Sequence, residues 1–176
     1  QKSHPNDICT IGDAQLDALI TKQLAHAFPD DIIVSEESTE HLFSKILAGE
    51  RGWIIDPLCG SMNFARHIRQ FCTNIVLVEN NKVVAAWVVD HAKKGLIWSV
   101  GQNVVYLNEA KIKHQIPATW LIDMDKGYWP QVPADVKRKY ADLCAGLMRE
   151  DQIIVVNIMS SLGFAYVATG QFQAAL

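Results

Sequence analysis

Apolar residues recur along this chain with two periods, and the change from one to the other marks out the expected elements. Leu16, Leu19, Ile20 and Leu24 return at helical spacing and predict a first helix that Pro29 closes. Leu42, Phe43, Ile46 and Leu47 share one face of a second predicted helix, residues 39–48, with Gly49 as its stop. Trp53, Ile54 and Ile55 form a short unbroken apolar run suited to a buried strand. Pro57 is expected to end that strand, because proline cannot donate to a ladder. Residues 74–78 and 83–90 flank an Asn80-Asn81 turn, and Lys93-Lys94-Gly95 leads into 96–100, which together read as an antiparallel meander.

Beyond residue 100 the pattern changes. Residues 102–135, with Pro117, Pro130 and Pro133, read as a connection between two layers, apart from a strand at 120–124. Residues 134–149 predict a helix with Val136, Tyr140, Leu143 and Leu147 inward, and 153–156 a buried strand parallel to 120–124. Met124, Met148 and Met159 read as core filling. The expected class is α+β followed by α/β, divided into residues 1–110 and 111–176.

Composition narrows the frame without naming a chemistry. The chain has 176 residues, 49% of them hydrophobic, enough for one domain with a sizeable core. No 18-residue apolar run predicts a membrane span, and no signal peptide is recognisable. A net charge of -3 argues against a nucleic acid polymer as partner. Cys9, Cys59, Cys72 and Cys144 form no CxxC pair, so a reducing, cytoplasmic setting is expected. The six histidines, at 4, 26, 41, 67, 91 and 114, have no ligand spacing and read as surface or helix-end residues. A start on Gln1 rather than Met predicts a fragment, a processed chain or a trimmed one.

The chemistry-bearing segment is 53–64. Asp56 stands at the expected strand end, Gly60 permits unusual dihedrals and close approach by a ligand, and Ser61 is a good N-cap for a turn or helix through Asn63 and Phe64. Free amides beside a carboxylate suit a phosphate bridged by a cation, although Asp-Pro followed by Gly-Ser also makes an ordinary turn. Glu36 and Glu37 fit first-turn charges favoured by the helix dipole, and Asp13 fits a helix-start acid.

These segments together resemble the inositol monophosphatase family of Mg²⁺-dependent, lithium-sensitive phosphomonoesterases. Residues 56–64 match the family's Asp-Pro-(Ile/Leu)-Asp-Gly-Thr/Ser-x-x-Phe except at its second Asp, where Cys59 stands. Val34-Ser35-Glu36-Glu37-Ser38 resembles its Gly-Glu-Glu-Ser, with Glu36 twenty residues before Asp56. Asp7 to Asp13 resembles its Asp-x-Val-Thr-x-x-Asp, and 160–170 its small-residue helix start and closing Ala-x-Gly.

The resemblance implies a layered αβαβα sandwich of the sugar phosphatase type, here incomplete at both termini. A preceding helix and a downstream Trp-Asp, whose Asp is a further metal ligand, have no counterpart. It implies metal-assisted hydrolysis of an inositol phosphate, a nucleotide 3'-phosphate or a sugar phosphate, with Glu36, Asp56 and Ser61 in the catalytic roles. The implied ligands of Mg²⁺ are Glu36, Asp56 and the Leu58 carbonyl, with Asp13 as an additional acid and Cys59 in a substituted ligand position. Gly60 and Ser61 would bind phosphate, and Ser160 and Ser161 would lie on the substrate side. A thiol suits a hard ion poorly, so weakened Mg²⁺ binding and low activity are expected. A degenerate homologue that binds a phosphate ligand or a protein partner without turnover is the alternative, and an unrelated α/β binding module a remote third. The expected partner is a small phosphorylated metabolite, with no membrane and with room for a homodimer.

Overall fold

Two sheets organise the chain in the computed structural model, which describes residues 8–101, 104–113, 120–124, 132–151, 153–158 and 160–175. His4, Asp7, His114, Pro117, Pro130 and Met159, all used above, lie outside the described residues. The larger sheet has seven strands in chain order: β1 (Ile32–Ser35), β2 (Gly52–Cys59), β3 (Cys72–Glu79), β4 (Lys82–Asp90), β5 (Gly95–Val100), β6 (Val105–Leu107) and β7 (Ala110–Lys111). β1 runs parallel to β2, and every later neighbour is antiparallel. The β3–β4 turn works because Asn80 and Asn81 both take positive φ, 52° and 59°, which Asn tolerates better than most residues. β8 (Trp120–Asp123), β9 (Ile153–Val156) and β10 (Ala174–Ala175) form a second, all-parallel sheet in the order β10-β8-β9.

Helices fill the connections. α1 (Ile11–Ala27) precedes β1, and a 3-10 turn (Glu40–Leu42) continues into α2 (Phe43–Leu47). α3 (Ser61–Ala65) follows β2, and α4 (Ala134–Leu147) joins β8 to β9 as the strand-helix-strand pattern predicts. α5 (Leu162–Ala168) packs between the sheets: its Leu162, Ala165 and Tyr166 share one buried cluster with Cys72 of β3 and Ile97 of β5, and Leu121 of β8 and Val156 of β9 pack against it. Smaller clusters gather Val34, Ile46 and Val78 under α2, and Trp53, Leu77 and Ala85 with Leu24 of α1. Among the described residues, no helix is long and apolar enough to cross a membrane.

Several expectations need correction. Pro57 does not end β2, which runs on to Cys59 because a bulge places the proline where no ladder donor is required. Ser61 is not the N-cap of α3. Gly60 is, at φ 95°, and Ser61 turns its hydroxyl elsewhere. Residues 39–48 are not one helix, and only Ile46 of its apolar face is buried, with Phe43 and Leu47 exposed. Residues 105–111, expected within a connection, form β6 and β7 because Asn108 at φ 53° closes a hairpin. α4 buries none of its residues: Val136, Leu143 and the adjoining Met148 are exposed. In α1 the buried side chains are Asp13 and Asp17, whereas Leu19 faces solvent.

Candidate active site

The end of β2 gathers the site because the strand pairing there gains one residue. Asp56 pairs with Asn74 and Cys59 with Cys72, so Pro57 and Leu58 together oppose Thr73. Side chains alternate along a strand, which would send Asp56 and Cys59 to opposite faces; the extra residue returns Cys59 to the face of Asp56. Thr73 fixes the bulge. Its hydroxyl donates to the Pro57 carbonyl at 2.7 Å, so the contact with His91 Nε2 at 2.8 Å has the imidazole as donor. His91 is thus half-buried and structural rather than a surface residue, and burial pushes its pKa down.

Gly60 makes the turn out of the strand. A side chain there would be strained by the positive φ, and its Cβ would crowd the Gln70 carbonyl, Ser160 and Phe71. Asn63, buried on α3, donates to the carbonyls of Gln70 and Ile158 and so holds the turn against the segment before α5.

On one side of the turn lies Asp13. It closes a capping box with Thr10 at the start of α1 and accepts the Ser61 hydroxyl at 2.6 Å. The Ser61 Oγ also lies 2.9 Å from the Leu58 carbonyl. A hydroxyl has one proton, and the carboxylate is the stronger acceptor of the two. Asp13 is therefore the helix-start acid, one of the two roles expected for it, and it is also the partner of Ser61, which was not expected.

On the other side an open cleft of about 330 Å³ is lined by Glu36, Asp56 and Asn74, with Val34, Phe43, Ile54 and Val76 among its apolar walls. Burial first, then the neighbouring Cys59 sulfur and Glu36, push the Asp56 carboxyl up to about 8. The Cys72 thiol, the Ser161 hydroxyl and the Ser161 amide draw Cys59 down to about 5 against the opposing effect of burial. Together these shifts leave the Asp56–Cys59 pair holding one proton at neutral pH. The hydrogen bond with Cys59, and then burial, push Cys72 well above its ordinary range.

Asn74 was missed as a site residue, and Ser161, expected on the substrate side, is its partner here. Asn74 donates to Asp56 Oδ2 at 3.3 Å and to Ser161 Oγ at 2.6 Å, and the Ser161 amide donates to Cys59 Sγ at 3.2 Å. The available signal was a polar Asn directly ahead of the apolar run at 75–78. Ser160, expected on the substrate side with Ser161, is buried against Gly60, and its hydroxyl has no partner among the described residues.

Glu36 and Asp56 line the same cleft, and repulsion between their charged forms is one reason Asp56 keeps its proton, a repulsion that a cation would relieve. The donor set stops short of more. Among the described residues, no group of three or more His, Cys, Asp and Glu side chains could hold a metal ion. The residues fit one hard cation at Glu36 and Asp56, and a thiol in place of a second carboxylate does not fit another.

A profile of the Inositol monophosphatase family matches residues 1–176. The Nus factor SuhB of Xylella fastidiosa is 30% identical over 168 residues, 92% of this chain and 57% of that protein. The inositol-1-monophosphatase of Bacillus subtilis is 29% identical over 114 residues, 63% of this chain and 41% of its own length. Among solved structures, an IMPase of Thermotoga maritima superposes with a TM-score of 0.75 at 25% identity, over 97% of this chain and 63% of that one. The suhB extragenic suppressor protein of Bartonella henselae reaches 0.81 at 21% identity, over 97% and 64%, a likeness of fold alone. The expected layered α/β sandwich is the fold these structures share. The chain spans about half the length of the curated relatives it matches.

Proposed function

The chain belongs to the inositol monophosphatase family, and from that premise we propose that the protein hydrolyses a small phosphate monoester, with turnover by these residues held low by Cys59. Its substrate would be an inositol phosphate, a nucleotide 3'-phosphate or a sugar phosphate. The observation that carries the reading is the convergence of Glu36 and Asp56 on one cleft beside the Gly60 turn. Members of this family are metal-dependent, and here Glu36, Asp56 and the Leu58 carbonyl would hold Mg²⁺. The ion supplies charge neutralisation and a bound water of lowered pKa.

The protein's own groups divide the remaining work. Ser61 donates its hydrogen bond to Asp13, which leaves hydroxyl lone pairs to accept from a water and orient it. The Gly60 and Ser61 amides would receive phosphate oxygens as charge builds on them. Asn74 steadies Asp56, and through Ser161 it ties the cleft to the start of α5. Cys59 opposes the rest: it offers a soft donor and favours a retained proton on Asp56, which a cation must displace.

A second reading, a homologue that binds phosphate or a partner without turnover, is favoured by that retained proton and by the small donor set. Phosphate release from inositol-1-phosphate in excess Mg²⁺, compared between the unaltered chain and Cys59→Asp, separates the two. The hydrolytic reading expects near-background release that rises about 10-fold or more with the carboxylate, a restored electrostatic contact being worth up to about 10²- to 10³-fold. No gain, with calorimetry still recording phosphate binding, would leave the binding reading standing. Glu36→Gln or Asp56→Asn should abolish Mg²⁺ binding, and Glu37→Gln should leave it intact.

A further inference from the structure

Cys59 and Cys72 face each other directly across β2 and β3. Directly opposed residues of an antiparallel pair have Cα atoms about 4.5–5.5 Å apart, inside the span of about 4.4–6.8 Å that a disulfide bridges. Both sulfurs meet the same residue. The Ser161 amide donates to Cys59 Sγ at 3.2 Å, and the Ser161 hydroxyl lies 3.3 Å from Cys72 Sγ. Both cysteines are free thiols. They differ in access: Cys59 is partly exposed at the turn, whereas Cys72 is completely buried. An outer sulfur that a small oxidant can reach, with an inner one held opposite it, is the arrangement of an attacking and a resolving thiol.

We propose that Cys59 and Cys72 are a reversible dithiol that closes to an intramolecular disulfide on exposure to hydrogen peroxide. The Cys59 sulfur attacks the peroxide oxygen, the O–O bond breaks, and hydroxide leaves to take up a proton as water. Cys59 is then a sulfenic acid. The Cys72 sulfur attacks it, the S–O bond breaks, the hydroxyl leaves with the Cys72 proton as a second water, and the S–S bond forms. Two thiols are oxidised and one peroxide is reduced to two waters. Thiol reductants reverse the bond by exchange. Cys9, exposed ahead of α1, and Cys144, on α4, lie outside the strands. The pairing does not depend on whether the cleft turns over phosphate.

Arg66 and Arg69 lie between the two cysteines, so trypsin separates them onto peptides 52–66 and 70–82. The folded chain is treated with hydrogen peroxide, alkylated in denaturant and digested without reductant. The expected result is a joined 52–66/70–82 species, two hydrogens lighter than the sum of its parts, that disappears when dithiothreitol precedes alkylation. Cys72→Ser and Cys72→Ala should abolish that species and leave oxygen on the Cys59 peptide. If either variant fails to fold, the unaltered chain decides alone. Recovery of Cys72 as an alkylated thiol while Cys59 carries oxygen, or of both as thiols at a peroxide dose that oxidises Cys9, would overturn the pairing.

Discussion

α4 and α5 adjoin the same parallel sheet and differ in a way that their hydrophobic patterns do not foretell. α4 has 14 residues and an apolar stripe, yet buries none of them. α5 has 7 residues and buries Leu162, Gly163, Ala165 and Tyr166. The difference lies in specific ties. The start of α5 is held through Ser161 to Cys59, its Gly163 lies against the Asp123 carboxylate of β8, and its Tyr166 donates to buried Asp90 at 2.7 Å. Burial here follows close ties to both sheets, to Cys59 and Asp90 of the larger and Asp123 of the smaller, rather than helix length.

The strongest way to break this contrast is Gly163→Ala. The new methyl would overlap Asp123, whose carboxylate is buried and accepts the Ile158 amide, so neither partner can move cheaply. Thermal or denaturant unfolding should record a loss of about 3 kcal/mol, the upper end of overpacking costs. A loss under about 0.5 kcal/mol would show that α5 is not seated as described. Tyr166→Phe comes next. It withdraws a donor from Asp90, which keeps the Ala92 and Lys93 amides, and should cost about 1–2 kcal/mol in the same measurement.

A smaller, pH-dependent effect sharpens the role of Cys59. Relative to an unfolded chain with Asp near about 3.9 and Cys near about 8.5, the folded protein holds an extra proton on Asp56 and lacks one on Cys59. The two differences offset, so this pair by itself should give the metal-free melting temperature no slope from about pH 5 to 8. Cys59→Ser removes one side of the balance. Burial and Glu36 still raise the Asp56 pKa, though less than with the sulfur beside it, so its stabilisation is full only below about 4 and is lost as pH rises through that raised pKa. The variant's melting temperature should therefore fall across the range, and parallel profiles would refute the shared proton. Leu143→Ser on α4 completes the series, with an expected change within about 0.5 kcal/mol because the side chain is already 49% exposed.

Much of the larger sheet could be read from sequence. The β3–β5 meander follows from apolar runs broken by Asn80-Asn81 and by Lys94-Gly95, where the turn chemistry is local. β6 and β7 escaped because short strands flanking Asn108 carry too few residues for a period to show. Pro57 misled because the rule against proline in a strand exempts bulges, and a bulge is a property of two strands at once. The capping box of Thr10 and Asp13 was visible as a helix start, but its link to Ser61 spans 48 residues and required the fold. α4 shows the converse: its periodicity gave the helix correctly, and its burial depended on neighbours that a period does not encode.

The bulge before Cys59 separates what the site contains from where its members point. Position 59 could exchange a carboxylate for a thiol with the backbone unchanged, because the inserted residue, not the side chain, chooses the face. Deleting Pro57 or Leu58 would do the reverse, leaving the same donors in the chain while turning one of them away from its partner. For a protein engineer, position 59 is a socket: donors can be swapped there to retune the ion or the redox behaviour, while the spacing around it is the one dimension that must be left alone.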